Sequence, residues 1–478
     1  MRVGYTKPFS FTALRSVSGS PRSANFLLVS KVSVEFMKSF GNLMVVPFQS
    51  RYNGHSMSPR SEVVVDLAAV DHNVSVIRAA LDPSVRLGLV LKSDAYGLGA
   101  ARLARRVAGR ADFLVVYGIE EAEVVGVADP STSVIALMPV REIDRGGIAH
   151  SMWLKGQLHL SAHDGEQVES LSACAADFGA LLPLHLEIDT GLGRGGCLPT
   201  DATKIAARIR SDKNLRLAGV FTHFANAGGS ETATDQQRKM FEAWCKNSAL
   251  PADCVVHSAS TFAAIRDPRF HHHMIRVGLA WTGLAFEGTR DGRFMEFTKK
   301  LRPVFSWRSS FVQVRTVPAG TAVGYGSRWK CEKTSRIGLV PVGYGDGYPL
   351  LPMNPVTRRP LGVERRMVRV EVVEHGQAIW MNAPVVGAIS MDQIAVDLSE
   401  LPDALATNWN HAPVELISSD CSAPNHAARV ASMTGHHAYE LLCRIPARVP
   451  RKFVEPMVSE LPSLDSSQAP TNAISQAS

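Results

Sequence analysis

Short apolar runs alternate with amphipathic stretches from Ser61 to about Arg290, and this alternation predicts repeated strand–helix units. The apolar runs of strand length are Leu87–Leu91, Phe113–Tyr117, Ser133–Leu137, Met152–Leu154, Leu182–Ile188, Leu217–Thr222, Cys254–His257 and Met274–Val277. Helical spacing of apolar residues marks Ile119–Val127, His163–Ala176, Ala202–Arg210 and Asp235–Ser248. These repeats predict an α/β fold, a (β/α)8 barrel of the TIM type. A doubly wound parallel sheet would have the same periodicity and stays open as the competing topology.

The periodicity changes near Leu301, where apolar and polar residues begin to alternate. The strand candidates there are Val304–Val317, Arg336–Val342, Met367–Val373 and Ile379–Val386, with glycine and proline turns between them. The last apolar stretch, Leu441–Phe453, is predicted to return towards the barrel. We therefore expect the barrel over residues 61–298 and a mostly β C-terminal domain over residues 299–455.

The net charge of +7 comes from the start of the chain. Residues 1–60 contain eight basic residues and one acidic residue, so the rest of the chain is neutral. No nucleic-acid partner is therefore expected. The basic segment is either an organellar transit segment, a disordered extension, or sequence that precedes a true start at Met57. The Ser- and Pro-containing tail, residues 456–478, is predicted to be disordered.

The composition is that of a globular protein, with 45% hydrophobic and 20% charged residues. No apolar run is long enough to cross a membrane, so no membrane partner is expected. Seven widely spaced cysteines without a C-x-x-C pair predict reduced thiols, a cytoplasmic location and no zinc site. The run His271–His273 also predicts no metal site, because consecutive residues do not share one face of a helix or strand.

Lys92 stands at the carboxyl end of the predicted strand Leu87–Leu91, just before a turn punctuated by glycine. Barrels of strand–helix units carry their reacting groups at this end of the strands. A lysine amine forms a Schiff base with a carbonyl, and pyridoxal phosphate offers such a carbonyl. A solvated lysine after a strand is the alternative interpretation, and the surrounding motifs decide between the two.

The motifs that accompany Lys92 are Leu91–Gly97, Glu187–Arg194, Val220–Phe224, Met274–Leu279, Ala322–Gly326, Val342–Pro349, Ile389–Gln393 and Tyr439–Glu440. In this order they resemble the alanine racemase family, pyridoxal-phosphate enzymes built from a barrel and a β domain. The resemblance runs from about Val63 to Arg451. It implies interconversion of L-alanine and D-alanine, for D-alanine biosynthesis in wall-peptide supply or for alanine catabolism.

The resemblance also implies how pyridoxal 5'-phosphate is held. The implied cofactor-binding residues are Lys92, Tyr96, Arg194, His223, Thr261, Arg276, Gly278, Leu279 and Tyr439. Lys92 makes the covalent link, Arg194 reaches the phenolic oxygen, and Arg276, backed by His223, lies under the pyridine ring. Because arginine only donates hydrogen bonds, it faces an unprotonated ring nitrogen, which weakens the ring as an electron sink and suppresses transamination.

Racemisation requires a proton acceptor on each face of the substrate α-carbon, and the resemblance implies Lys92 and Tyr325 as these two catalytic bases. In the family the tyrosine comes from the other subunit, which implies a homodimer with a shared active site. The implied substrate-binding residues are Arg194, Tyr344, Met391 and Asp392. The substrate is a small amino acid.

The sequence departs from the family at three places. Glu187 stands where the family often has a lysine that becomes carbamylated, and we expect its carboxylate to replace the carbamate. Ser260–Thr261 replaces an Asn-Ser pair, and Thr282 replaces an aromatic residue near Gly283. These changes leave open a racemase of broader specificity, acting on serine or larger side chains.

Two other functions remain as alternatives on the same barrel. A non-catalytic pyridoxal-phosphate carrier resembles the barrel alone, and the β domain with Tyr325 argues against it. A decarboxylase has a similar two-domain plan but requires an acid near the ring nitrogen, where Arg276 stands in this sequence.

Overall fold

The computed structural model describes residues 59–284, 291–352, 365–402 and 409–455. The predictions for the basic segment and for the C-terminal tail fall on residues outside these ranges. The junction that links the two predicted domains is described only in part. None of the described helices is both long enough and apolar enough to traverse a membrane.

Eight parallel strands form a closed barrel, as predicted, and the doubly wound alternative is excluded. They are β2 (Arg86–Val90), β3 (Phe113–Val116), β4 (Ser133–Ala136), β5 (Leu158–Ala162), β6 (Leu182–Glu187), β7 (Leu215–Phe221), β8 (Val255–Ser260) and β9 (Met274–Val277). Strand β9 pairs with β2 and closes the ring. The helices on this part of the chain are Leu67–Ala79, Ala100–Val107, Ile119–Ala128, Ile148–Leu154, Gly165–Phe178, Pro199–Ser211, Glu231–Asn247, Thr261–Arg266 and Gly292–Thr298.

The predicted strand Met152–Leu154 is wrong, because these residues end the helix Ile148–Leu154. Met152 and Trp153 are buried while Leu154 is exposed, because consecutive residues of a helix point in different directions. The strand that takes this place in the barrel is β5, Leu158–Ala162, which contains the buried residues His159 and Ser161. Two polar residues pointing into the structure made this strand look like a surface segment in the sequence.

The C-terminal part is a nine-stranded sheet. Its strands are β1 (Ser61–Asp66), β10 (Phe305–Ser310), β11 (Gln313–Val317), β14 (Ser335–Val340), β15 (Met367–Glu374), β16 (Gln377–Val386), β17 (Ile394–Asp397), β18 (Pro413–Ile417) and β19 (Arg451–Val454). Neighbouring strands follow the order β11-β14-β17-β16-β15-β18-β10-β1-β19 across the sheet. The short pair β12 (Ala322–Val323) and β13 (Trp329–Lys330) lies beside it, and the helices are Ala427–Met433 and Ala438–Cys443.

Two features of this sheet differ from the prediction. Strand β1 lies in the segment assigned to the barrel, but it pairs with β10 and with β19 in the C-terminal sheet. Val304–Val317 is two strands rather than one. The break occurs where the chain changes partners, since Phe311 N–H bonds to Ala412 O and Val312 N–H bonds to Leu339 O.

The C-terminal strand β19 forms a hydrogen bond with the turn that follows Lys92 and packs against it. Arg451 Nε donates to Gly97 O over 2.7 Å, and the Phe453 ring approaches Gly99 so closely that a Cβ there would lie 2.8 Å away. Both glycines have positive φ, 78° and 98°. The sheet therefore supports the backbone of the barrel mouth at the point where Lys92 emerges, as the apolar stretch near residues 441–453 predicted.

Candidate active site

A cavity of about 720 Å³ opens at the carboxyl ends of the barrel strands. The predicted cofactor-binding residues that line it are Lys92, Tyr96, Arg194, His223, Thr261, Arg276, Gly278, Leu279 and Tyr439. All nine positions named from the sequence are therefore brought together in one place. The cavity also contains Glu187, which the sequence analysis singled out. His163 and Cys443 line it as well, although neither was predicted as a site residue.

The turn after Lys92 has an uncommon backbone. Ser93, Asp94, Ala95 and Tyr96 all have φ between 53° and 60°, which is the left-handed helical region. This conformation costs an L-residue roughly 1–2 kcal/mol each, so neighbouring contacts must hold it. Ser93 N–H donates to Glu121 Oε1 over 2.6 Å, and Asp94 Oδ1 accepts from Ala100 N–H over 2.7 Å. The turn buries Tyr96 against the cavity directly after Lys92.

The environment of Lys92 favours the uncharged amine. Burial is the main cause that lowers the pKa of Lys92, and the positive charge of Arg194 adds to it. Glu121 and Cys443 act in the opposite direction. A lysine that loses its proton more easily is a better nucleophile and a better proton acceptor.

Arg276 is buried and bound on several sides. Its Nη1 lies 2.6 Å from His257 Nδ1, and its Nη2 donates to Thr222 O over 2.9 Å. His223 Nδ1 lies 3.4 Å from Nη2, and the guanidinium carbon stands 5.1 Å from the centre of the Phe221 ring. Burial lowers the pKa of Arg276 to about 10, so the group stays charged at neutral pH.

Tyr96 and Gly278 form a tight corner of the cavity. A Cβ on Gly278 would lie 2.2 Å from the Tyr96 hydroxyl oxygen, so only glycine allows the hydroxyl to come this close to the backbone. Gly278 N–H donates to Thr261 Oγ1 over 3.2 Å. The Tyr96 ring packs 5.9 Å from Trp281 and 6.3 Å from Tyr439. The hydroxyl groups of Tyr96 and Thr261 and the backbone N–H group of Gly278 thus meet at one place that suits an anion.

Arg194 lies on a loop that a single carboxylate shapes. Asp189 accepts from the N–H groups of Gly191, Leu192 and Gly193 over 2.9, 2.8 and 3.0 Å. The Arg194 side chain is exposed and lines the cavity. The folded turn presents this guanidinium at the cavity wall.

Glu187 and His163 form a buried pair behind this loop, with Oε2 3.3 Å from Nδ1. His163 Nε2 lies 3.0 Å from Leu137 O, which only accepts, so Nε2 carries a proton. His163 Nδ1 also accepts from Gly196 N–H over 2.9 Å. Burial raises the pKa of Glu187, and the positive charges of Arg276 and Arg194 oppose this effect. The pair thus links the end of β6 to the backbone next to Arg194.

The remaining predicted residues do not line this cavity. Tyr325 is 76% exposed, Met391 55% and Tyr344 44%, and Asp392 is an exposed partner of Arg60 at 3.6 Å. These four residues, the β-domain cluster, lie on connected segments. Tyr344 N–H donates to Ser390 O over 3.1 Å, and a Cβ on Gly324 would lie 2.7 Å from the backbone nitrogen of Ala388.

His163 was not predicted as a site residue because the strand before it, β5, was predicted at Met152–Leu154 instead of Leu158–Ala162. With β5 at Leu158–Ala162, His163 is the first residue after the strand, at the mouth of the barrel. The signal in the sequence was the alternation of apolar and polar residues over Leu158–Ala162, which ends directly before His163. Cys443 had no such signal, since it reaches the cavity from the helix Ala438–Cys443 of the other part of the chain.

Comparisons with known proteins agree with this geometry. The model for the alanine racemase N-terminal domain matches residues 65–285, and the model for the alanine racemase C-terminal domain matches residues 304–453. The alanine racemase of Synechocystis sp. is 32% identical over 404 residues, 83% of this chain and 99% of that protein. The structure of alanine racemase from Streptomyces coelicolor A3(2) has a TM-score of 0.69 and 29% identity, over 83% of this chain and 98% of that one.

A structure of alanine racemase from Bartonella henselae, with covalently bound pyridoxal phosphate, shares the fold with a TM-score of 0.66 at 21% identity, over 83% of this chain and 100% of that one. The matches cover both the barrel and the sheet, in the order in which they occur here. The chain therefore belongs to the alanine racemase family.

Proposed function

We propose that this chain is an alanine racemase that uses pyridoxal phosphate to interconvert L-alanine and D-alanine. The observation that carries the proposal is the convergence of Lys92, Arg194 and Arg276 on one cavity at the barrel mouth. An amine can hold the cofactor covalently, and two guanidinium groups suit its phenolic oxygen, its ring nitrogen and the substrate carboxylate.

The cavity fits this cofactor in size and in chemistry. Its volume of about 720 Å³ is that of a small-molecule site. Lys92 would hold the cofactor covalently, while Tyr96, Thr261 and the backbone of Gly278 and Leu279 would hold the phosphate. The close approach of the Tyr96 hydroxyl to Gly278 supports an anion at this corner. When bound, the cofactor supplies an electron sink for the negative charge that develops on the substrate α-carbon.

Arg276 would face the ring nitrogen, with His223 behind it and Tyr439 at the side of the cavity. Because Arg276 keeps its charge and only donates, it would leave the ring nitrogen unprotonated. A weaker electron sink favours return of the proton to the α-carbon over its transfer elsewhere. This selectivity is what a racemase requires.

Lys92 would exchange a proton with one face of the α-carbon. Its lowered pKa favours the neutral amine that can accept this proton. Tyr325 would serve the opposite face. Because the exposed Tyr325 does not line the cavity of its own chain, we propose that it acts in the cavity of a second copy.

The exposed β-domain cluster supports a homodimer with shared active sites. Tyrosine and methionine side chains are enriched at the centres of protein interfaces, and three of the four residues of the cluster are of these two types. In the proposed dimer, Tyr344, Met391 and Asp392 of one copy would complete the substrate site, and Arg194 of the other would hold the substrate carboxylate. The substrate would then lie between the two chains.

The test measures racemisation of L-alanine and D-alanine by the purified protein, Lys92→Ala and Tyr325→Phe. Exchange of the α-hydrogen with deuterated solvent is followed for each enantiomer separately. We expect Tyr325→Phe to lose racemisation, to keep the visible absorbance of bound cofactor, and to exchange the hydrogen of only one enantiomer.

Racemisation by Tyr325→Phe at the wild-type rate would remove this tyrosine from the mechanism. A wild type that binds the cofactor but turns over no amino acid in a panel including serine would favour the carrier function. Faster turnover of serine or a larger amino acid would favour the broader racemase.

A further inference from the structure

Three buried histidines form a row inside the barrel that ends at Arg276. His159, His185 and His257 lie on β5, β6 and β8 and are 6%, 0% and 0% exposed. His159 Nδ1 lies 2.9 Å from His185 Nε2, and His185 Nδ1 lies 2.9 Å from His257 Nε2. His257 Nδ1 lies 2.6 Å from Arg276 Nη1. We name these three residues the histidine row.

The hydrogen bonds of the histidine row can run in only one direction. Arginine has donors and no acceptor, so Arg276 donates to His257 Nδ1. A neutral imidazole then carries its single proton on Nε2, and His257 donates to His185 Nδ1. The same argument makes His185 the donor to His159. Protonation of His257 or His185 would turn two N–H groups towards each other.

Burial keeps the row neutral. It lowers the pKa of His159 to about 3, and it lowers the pKa values of His185 and His257 well below 6.5. Arg276 therefore has a neutral partner on this side instead of a carboxylate. Its positive charge is not cancelled by that partner and can act on the cavity.

The barrel is shaped to hold these rings. A Cβ on Gly219 would lie 2.2 Å from His185 Nδ1, so glycine makes the room for that imidazole. The Phe113 ring meets His159 and His185 edge-on at 5.4 and 6.1 Å. Barrel interiors are mostly filled by branched apolar side chains, and buried polar groups are unfavourable unless they are hydrogen-bonded. Three polar rings in this position therefore suggest a role beyond filling space.

We infer that His257, His185 and His159 are positioning residues, which fix the orientation of Arg276 through a one-way chain of hydrogen bonds from the cavity into the barrel. The inference rests on the proposed function only where it concerns bound cofactor. Because Arg276 cannot accept a proton, the chain orients this guanidinium and does not conduct protons to it.

The first test is nuclear magnetic resonance of the cofactor-bound protein labelled with 15N at histidine. We expect all three residues to carry the proton on Nε2 and to keep it there from about pH 6 to 9. A proton on Nδ1 of any member, or titration within this range, would overturn the chain. This result does not depend on racemase activity, so it separates failure of the inference from failure of the proposed function.

The second test compares His185→Phe with His185→Gln, which keeps one donor and one acceptor. We expect His185→Phe to lower kcat roughly tenfold with KM nearly unchanged, and to shift the visible absorbance of bound cofactor. His185→Gln should restore both in part. The matched control is His271→Phe, because His271 is also buried but bonds to the backbone at Ala264 O.

The inference fails if His185→Phe keeps the wild-type absorbance and kcat. It also fails if His271→Phe has the same effect as His185→Phe, since loss of any buried histidine would then explain the result. Thermal unfolding of each variant separates lost stability from the spectral change.

Discussion

Single positions at the cavity restrict most strongly which residue types the sequence can have. Gly278 has to be glycine because the Tyr96 hydroxyl occupies the place of a side chain. Glu187 lies 3.3 Å from His163 in a buried contact, and His163 Nδ1 accepts a hydrogen bond from Gly196 N–H next to Arg194.

Gly278→Ala should weaken cofactor binding by at least about tenfold, roughly 1.4 kcal/mol, because the new methyl group displaces Tyr96. Titration of the cofactor-free protein with pyridoxal phosphate measures this. Gly165→Ala is the control, since a Cβ there meets no atom within 4 Å. Equal affinities for the two variants would show that the corner between Tyr96 and Gly278 does not bind the cofactor.

Glu187→Gln should lower cofactor affinity or kcat, because the amide cannot supply the negative charge near Arg194 and Arg276 that the carboxylate supplies. The exposed Glu166→Gln is the control. The wild type should also keep full activity in buffer freed of carbon dioxide. Our hypothesis that Glu187 replaces a carbamate does not survive if Glu187→Gln matches the wild type, or if bicarbonate is required.

At the scale of elements, the sequence predicted seven of the eight barrel strands and the β character of the C-terminal part. It missed β5, because His159 and Ser161 are polar residues that face inwards, and periodicity cannot separate them from surface residues. The position of Lys92 followed from the end of a predicted strand, whereas the other site residues of the barrel were implied by the resemblance of their motifs to the alanine racemase family. The left-handed turn at Ser93–Tyr96 had no signal, since its residues do not include the glycine that such φ values favour.

Ser93→Gly should stabilise the protein by about 1 kcal/mol, because glycine adopts positive φ without steric cost and the Ser93 side chain is exposed. Urea unfolding of the two proteins measures the difference. Ser170→Gly, in the middle of the helix Gly165–Phe178, should change stability in the opposite direction by about 0.5–1 kcal/mol. Destabilisation by both substitutions would argue against a left-handed turn after Lys92.

At the scale of the whole molecule, buried neutral histidines link folding to pH. Burial lowers the pKa of His159 and of His223 to about 3 and lowers those of His185 and His257 well below 6.5. As the pH falls below about 6.5, the unfolded chain takes up protons that the folded chain cannot bind. Stability is therefore complete above this pH and is lost below it, by up to about 1.4 kcal/mol per pH unit for each histidine.

The free energy of unfolding should fall by at least about 3 kcal/mol between pH 7 and pH 5. The raised pKa of Glu187 opposes this trend but is a single group. Urea unfolding with saturating cofactor at each pH gives the slope. A free energy that stays constant over this range would mean that the barrel histidines are not buried in the neutral form.

The strand pattern of a single chain predicts only part of the proposed site. Lys92 could be placed from the strand that precedes it, whereas Tyr325 is 76% exposed in its own chain, and its contacts with a substrate follow only from the proposed dimer. The central claim is that Lys92 and Tyr325 act on one substrate from two copies of the chain.

Mixing subunits tests this claim most directly. Lys92→Ala and Tyr325→Phe proteins, each inactive alone, are dissociated, mixed in equal amounts and reassembled. Because half of the dimers are mixed and each mixed dimer has one complete site, racemisation should return to about a quarter of the wild-type rate. If both residues act within one chain, no mixed dimer has a complete site, and the mixture would stay as inactive as its components.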